Sequence, residues 1–146
     1  MRAAVVSPFL LIVAAGLIGA YGGRMSAPGS AALVCRPPAR PLAKIELMFG
    51  SQRKNMSPIS DEEWGAFLAA EGTPRFPAGL TVLTGYGQWR DASGILVKET
   101  SRLLLIWYAP EAGGDTRIEA IRTAYKTRFG QDSVLRVDGA PACVSF

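Results

Sequence analysis

Few residues in this chain could bind or transform a ligand, and their types exclude several kinds of chemistry. The sequence has no histidine, which removes Ser-His and Cys-His nucleophilic systems, histidine metal sites and the commonest general base. Gly85-Tyr86-Gly87 lacks the third glycine and the following helix of a dinucleotide-binding fingerprint. Glu62 and Glu63 form a carboxylate pair at a helix start, where acidic residues offset the helix dipole. We therefore predict no catalytic residue, no metal site and no cofactor.

One group of charged and aromatic residues is a candidate ligand site. If the turn from Asp91 to Gly94 makes Arg90 oppose Ile95, one sheet face collects residues from both hairpin strands, and the flanking strands add to it. The predicted ligand-binding set is Glu46, Trp89, Arg102, Tyr108 and Arg136. Arginine forks on such a face would bind the carboxylate of an acidic or aromatic small molecule. The alternative is a self-associating or tail-covered sheet with internal ion pairs, and a one-residue shift of register would reverse the faces.

The same register predicts an apolar patch. It places Leu83, Leu104, Ile106 and Tyr108 on the side of the sheet that the helices leave uncovered, and soluble monomers seldom expose such a patch. We expect a second copy of the chain to cover it in a homodimer, and Ile106→Asp to disrupt that association. The rival cover is the C-terminal stretch 142–146.

Alternating and helical patterns supply the elements that position these residues. Ala43 to Phe49 alternates as a strand, and Ser60 with Glu63 forms a capping box before a helix. The buried stripe of that helix is predicted to be Trp64, Phe67 and Leu68. A long hairpin of two extended runs, 80–90 and 95–108, follows.

The second half of the domain repeats this order. Asp115 is predicted to cap a second helix, which ends at Gly130 and has a stripe of Ile118, Ile121, Tyr125 and Phe129. The stretch 133–137 is a last strand. This order of elements, strand-helix-strand-strand-helix-strand, predicts an α+β fold of ferredoxin-like βαββαβ type. Such a fold has a four-stranded antiparallel sheet with two helices on one face.

The N-terminal region predicts export. One arginine and an apolar run from Ala3 to Ala20 are typical of a signal peptide or a membrane anchor over 1–22. Cleavage after Gly22 or Ala32, retention of residues 3–21 as an inner-membrane anchor, and lipidation at Cys35 are the three alternatives. A Pro-rich tether over 23–42 then leads to the domain, residues 43–146. We expect a periplasmic or secreted protein that meets a membrane only through an uncleaved N-terminal segment.

The two cysteines predict a disulfide, and the net charge of the domain excludes one class of partner. Cys35 and Cys143 are the two cysteines, and in an oxidising compartment such a pair predicts a disulfide, the alternative being two unpaired thiols. Four of the sixteen Lys and Arg residues precede Ala43, so the remaining twelve balance the twelve Asp and Glu residues. A neutral domain lacks the positive charge with which proteins bind nucleic acid, so no nucleic-acid partner is predicted.

Several short segments resemble a bacterial family known only as a domain of unknown function. They span most of 43–146 and are Glu46-Leu47-Met48-Phe49-Gly50, Pro74-Arg75-Phe76-Pro77-Ala78-Gly79-Leu80-Thr81-Val82, Gly87-Gln88-Trp89-Arg90, Tyr125-Lys126-Thr127-Arg128-Phe129-Gly130-Gln131 and Pro141-Ala142-Cys143-Val144-Ser145-Phe146. The resemblance implies a small exported bacterial protein and implies no activity.

Two classes of function stay open. The first is a non-catalytic binding or interaction module of the cell envelope, whose partner is a small molecule or an envelope protein. The second is a small ferredoxin-like enzyme that acts on an acidic or aromatic small molecule at its open sheet face.

Overall fold

The computed structural model describes residues 33–91, 93–110 and 113–146. The predicted signal peptide or anchor, and most of the predicted tether, lie outside the described residues. Within the described ranges, no helix is long and apolar enough to cross a membrane.

The described residues form one sheet with helices packed against it. The elements in chain order are β1 (Arg40–Gly50), α1 (Asp61–Phe67), β2 (Thr81–Arg90), β3 (Leu96–Tyr108), α2 (Gly114–Phe129) and β4 (Leu135–Val144). A π-helical turn, Leu68–Gly72, continues α1. The strands lie in the order β2-β3-β1-β4 with every neighbouring pair antiparallel. The predicted α+β fold is confirmed, and the strand order is compatible with a ferredoxin-like arrangement.

Helix α1 begins at the predicted capping box. The Ser60 hydroxyl accepts a hydrogen bond from the Glu63 backbone N–H, and the Glu63 carboxylate accepts one from the Ser60 backbone N–H. This backbone hydrogen bond, together with the Arg53 guanidinium, lowers the pKa of Glu63. The helix buries Trp64 and Phe67, as the sequence pattern predicts.

Helix α2 begins differently from the prediction. Its N-cap is Gly113, in the left-handed conformation with φ 91°, and no side chain caps it. Asp115 lies in the first turn instead and binds an arginine of β4, so its predicted role as a cap was wrong. The predicted end at Gly130 is confirmed, because this residue has φ 67° and its N–H bonds the Lys126 carbonyl.

An aromatic cluster forms the centre of the core between the sheet and the helices. Phe49 of β1 is fully buried and makes edge contacts with Trp64, Phe67 and Tyr125, at ring-centroid distances of 5.1, 6.2 and 4.6 Å. The Tyr125 hydroxyl donates to the Gly50 carbonyl over 2.8 Å. Burial raises the pKa of Tyr125, so the phenol stays protonated and keeps this bond.

The hairpin register differs from the predicted one by one residue. Asp91 N–H bonds the Ile95 carbonyl, and the Asp91 carboxylate accepts from the N–H groups of Ser93 and Ile95. This closes a three-residue loop with Gly94 at φ 80°, a common hairpin geometry. Arg90 therefore pairs with Leu96, not Ile95. The prediction assumed a four-residue loop, and the difference moves every β3 side chain to the opposite face.

Strands β1 and β4 are longer than predicted, and the disulfide joins the segment before β1 to the end of β4. β1 begins at Arg40, and β4 continues to Val144, so Pro41 pairs with Cys143. Because β4 is an edge strand, it tolerates Pro141, which lacks a backbone N–H. The predicted Cys35–Cys143 bond is present, with 5.5 Å between the Cα atoms.

Candidate functional site

The five predicted ligand-binding residues lie on both sides of the sheet. Glu46 and Trp89 are on the side away from the helices, whereas Arg102, Tyr108 and Arg136 are on the helix side. The prediction that all five residues share one sheet face was therefore wrong. It depended on a hairpin register that differs by one residue from the observed one, and it placed Arg136 on the opposite side of the sheet.

Each of these residues has local partners. Glu46 pairs with Lys44 on the same strand face. The Trp89 indole donates to Glu99 over 3.1 Å. Tyr108 packs on Phe76 at 5.6 Å between ring centroids, and its ring lies only 2.7 Å from where a Cβ on Gly114 would be.

Arg136 holds β4 against α2. Its guanidinium bonds Asp138, Asp115 and Glu119 over 2.6 to 2.7 Å. The pKa of Arg136 is raised, mainly by its hydrogen bonds with Asp138. The pKa of Glu119 is lowered by its hydrogen bonds, first with Arg122 and then with Arg136. Because these charges satisfy one another, we interpret the cluster as structural.

The side of the sheet away from the helices carries a contiguous row of apolar side chains. We call it the open face and define it by Leu83, Leu103, Met48, Leu135, Leu105, Val137 and Trp107. Leu83, Leu103, Met48 and Leu135 form one row across all four strands. Leu83 is 53% exposed and Leu135 is 56% exposed. Of the four residues predicted for an apolar patch, only Leu83 lies on this face. Leu104 and Ile106 are buried beneath the helices, and Tyr108 packs on Phe76 on that same side. The predicted composition of the patch was therefore wrong, and Ile106→Asp would disrupt the core and does not test association.

The predicted rival cover does not lie over this face. The C-terminal stretch continues β4 in the plane of the sheet, where Ala142 pairs with Leu42. Phe146 is 92% exposed, with the Arg40 guanidinium 5.8 Å from its ring centroid. The tail alternative was therefore wrong.

A shallow cavity of about 420 Å³ lies at one end of the open face. Trp89, Val97 and Glu99 contribute the hairpin wall, and Gln52 and Leu135 lie opposite. The Glu99 carboxylate is already bound, because it accepts from the Trp89 indole and from the Gln52 backbone N–H.

A second cavity of about 650 Å³ lies on the helix side of the hairpin. There β2 and β3 extend beyond α1, and the loop 51–60 forms the other wall. We call it the recess and define it by Ser51, Gln52, Asp61, Thr84, Tyr86, Lys98, Thr100 and Arg102. Its lining is largely polar and carries charges of both signs, from Lys98 and Arg102 and from Asp61 and Glu99, in contrast to the apolar row of the open face.

Most residues of the open face and the recess were not predicted from the sequence to belong to a functional surface. Arg102 alone of the recess was singled out, and Leu83 alone of the open face. The signal that could have found the others is Gly94, because a left-handed glycine closing a three-residue loop fixes the observed register.

Comparison with protein families identifies the chain. A family model described as "Protein of unknown function (DUF3574)" matches residues 44–146. The chain belongs to the DUF3574 family. The match begins within β1 and covers all the later elements through β4, so the described fold is that of the DUF3574 domain. No curated protein matches the sequence.

Two solved structures share the fold of this DUF3574 domain. A phage SAM lyase in complex with S-methyl-5′-thioadenosine aligns with a TM-score of 0.55 at 15% identity, covering 72% of this chain and 90% of the lyase chain. A phage SAM lyase in the apo state aligns with a TM-score of 0.54 at 14% identity, covering 78% and 96% of the two chains. At this identity the likeness concerns the fold alone.

Proposed function

We propose that this DUF3574 protein is a non-catalytic interaction module of the bacterial cell envelope that acts through its open face. The supporting observation is the row Leu83, Leu103, Met48 and Leu135, which presents apolar side chains to solvent across the whole sheet. Monomeric proteins rarely expose contiguous apolar surface of this kind unless it binds a partner. The disulfide indicates an oxidising, non-cytoplasmic location, which supports export to the periplasm or the outside.

The occupant that we propose for the open face is a second copy of the chain. Four strands give the face a width of about 19 Å, and seven residues of β1 give a length of about 23 Å. The projected area, about 440 Å², is roughly half of the ~800 Å² that each partner buries in a standard interface, so we expect a small interface of modest affinity. The charged residues Lys44 and Glu46 on the face neutralise each other, and the Glu99 carboxylate at its end is hydrogen-bonded to the Trp89 indole and the Gln52 backbone N–H. Two stacked sheets would bury both apolar rows at once.

Substitutions at exposed positions of the row test this proposal. We expect the protein to be a dimer by light scattering at tens of micromolar, and Leu83→Asp combined with Leu135→Asp to make it a monomer, because two buried carboxylates would face an apolar surface. Both residues are more than half exposed, so the monomer should unfold at a similar denaturant concentration. Thr127→Asp on α2, also exposed, is the matched control and should remain dimeric. A wild-type monomer at high micromolar concentration would contradict the proposal, as would a dimer that survives the double substitution.

The second candidate is an enzyme that acts on an acidic or aromatic small molecule. The cavity beside Trp89 favours it, together with a fold that also serves a phage SAM lyase. If the first proposal is correct, SAM incubated with the protein should remain intact, and S-methyl-5′-thioadenosine should not bind. Consumption of SAM that is abolished by Trp89→Ala would establish the enzyme instead.

A further inference from the structure

The recess contains buried polar groups whose bonding capacity is incompletely used. Ser51 is only 5% exposed, lines the recess, and its hydroxyl oxygen has no hydrogen-bond partner among the described residues. Gln52 and Arg102 also line the recess, and within the described residues the Gln52 side-chain oxygen and the Arg102 Nε likewise have no partner. Leaving such groups unsatisfied costs free energy, so a ligand that supplies their partners would be stabilised in the recess.

Arg102 shows which partner is missing. Its side chain is 11% exposed and lies over the Trp64 ring, with 5.8 Å from the guanidinium carbon to the ring centroid. Nη1 approaches the Thr84 hydroxyl at 3.4 Å, and Nη2 binds the Asp61 carboxylate. Nε and Nη2 form the edge of the guanidinium that binds a carboxylate through two parallel bonds. Asp61 uses only Nη2, so this edge is half occupied.

Asp61 can leave that position at little cost. Its side chain is 90% exposed, so water replaces the ion pair on the carboxylate side, and the ligand carboxylate replaces it on the guanidinium side. We propose that the recess binds a small carboxylate-bearing molecule, whose carboxylate displaces Asp61 and takes both Nε and Nη2 of Arg102. In this arrangement Asp61 is an internal competitor that holds the arginine in place until the ligand arrives.

The rest of the recess fits the body of such a ligand. Thr100 lies next to Arg102 on the same face of β3, and Lys98 is the following residue on that face. Tyr86 pairs with Thr100 across the hairpin and is 93% exposed, so its ring forms a rim. The Glu99 carboxylate is engaged by two N–H donors, which leaves the Lys98 ammonium as the second charge that attracts an anion. The ligand is therefore a polar carboxylate and not an apolar acid.

Matched substitutions of two neighbouring acids test the competition. Succinate is the probe, and its binding is followed through the Nε–H resonance of Arg102 in ¹H–¹⁵N spectra of the disulfide-bonded protein. We expect Asp61→Asn to tighten succinate binding about three- to fivefold, which is the upper range for loss of an exposed ion pair. Glu62→Gln removes the same charge from the next residue, also exposed, and should leave the affinity unchanged. Equal tightening in both variants would indicate nonspecific anion binding and overturn the proposal.

Substitutions of the cations test the site itself. Arg102→Lys keeps the charge but loses the two-bond edge, and should weaken succinate binding about tenfold. Because Arg102 packs on Trp64, this variant could fold poorly, so exposed Lys98→Gln provides a second variant, with an expected loss of about two- to threefold and an unchanged unfolding midpoint. An Arg102 Nε–H resonance that does not move with succinate would overturn the proposal. Phosphate that binds more tightly than succinate would overturn the carboxylate assignment.

Discussion

Replacing Cys143 by serine should lower the free energy of unfolding by about 2–5 kcal/mol. The bond closes a loop of 108 residues, and on the chain-entropy account a loop of that length restricts the unfolded chain by up to ~4.7 kcal/mol. It also ties the segment before β1 to the end of β4, where Pro41 pairs with Cys143. Urea unfolding followed by far-UV circular dichroism measures the loss.

The partner cysteine provides the control. Cys35→Ser should cost the same amount, and the double variant should cost no more than either single one, because the two thiols form one bond. Wild-type protein in a reductant should match the variants. Equal stability of oxidised and reduced protein would show that the bond makes no contribution.

Phe49→Ala should be the most damaging single truncation in the core, with an expected loss of about 3–5 kcal/mol. Phe49 is fully buried, and its ring contacts Trp64, Phe67 and Tyr125 at once. Removal of the ring leaves a cavity at the point where β1, α1 and α2 meet. Chemical denaturation of the dilute protein measures the change.

The same substitution at the other end of the chain is the matched control. Phe146 is 92% exposed, and the Arg40 guanidinium lies 5.8 Å from its ring centroid. Phe146→Ala should therefore cost less than about 1 kcal/mol. Comparable losses at the two positions would mean that Phe49 does not occupy the centre of the core.

The fold could be predicted because its signals are local and agree with one another. The capping box at Ser60, the apolar stripe of α2 and the alternation of β1 each specify one element. Their order then leaves few arrangements for a four-stranded sheet. Strand ends were less predictable, since Pro41 and Pro141 belong to strands only because β1 and β4 pair in that region.

The candidate site could not be predicted because it depends on one residue of register. Counting Asp91 as a loop residue gives one set of faces, and counting it as the last paired residue gives the opposite set. Composition cannot distinguish the two, since β3 is apolar on both faces from Leu103 to Trp107. The loop length is set by the Asp91 carboxylate, which accepts hydrogen bonds from the N–H groups of Ser93 and Ile95. These bonds are visible only in the three-dimensional structure.

The position of the disulfide also determines how the domain responds to mechanical tension. Cys35 precedes the first strand, and Cys143 is the penultimate residue of the last one. Tension between segments outside these two residues passes through the sulfur–sulfur bond and bypasses the sheet. Without the bond, the same force would separate the paired ends of β1 and β4 and break their hydrogen bonds one after another. If one end of the chain is fixed in the cell envelope and the other is pulled, the oxidised domain would stay folded because the disulfide bears the force.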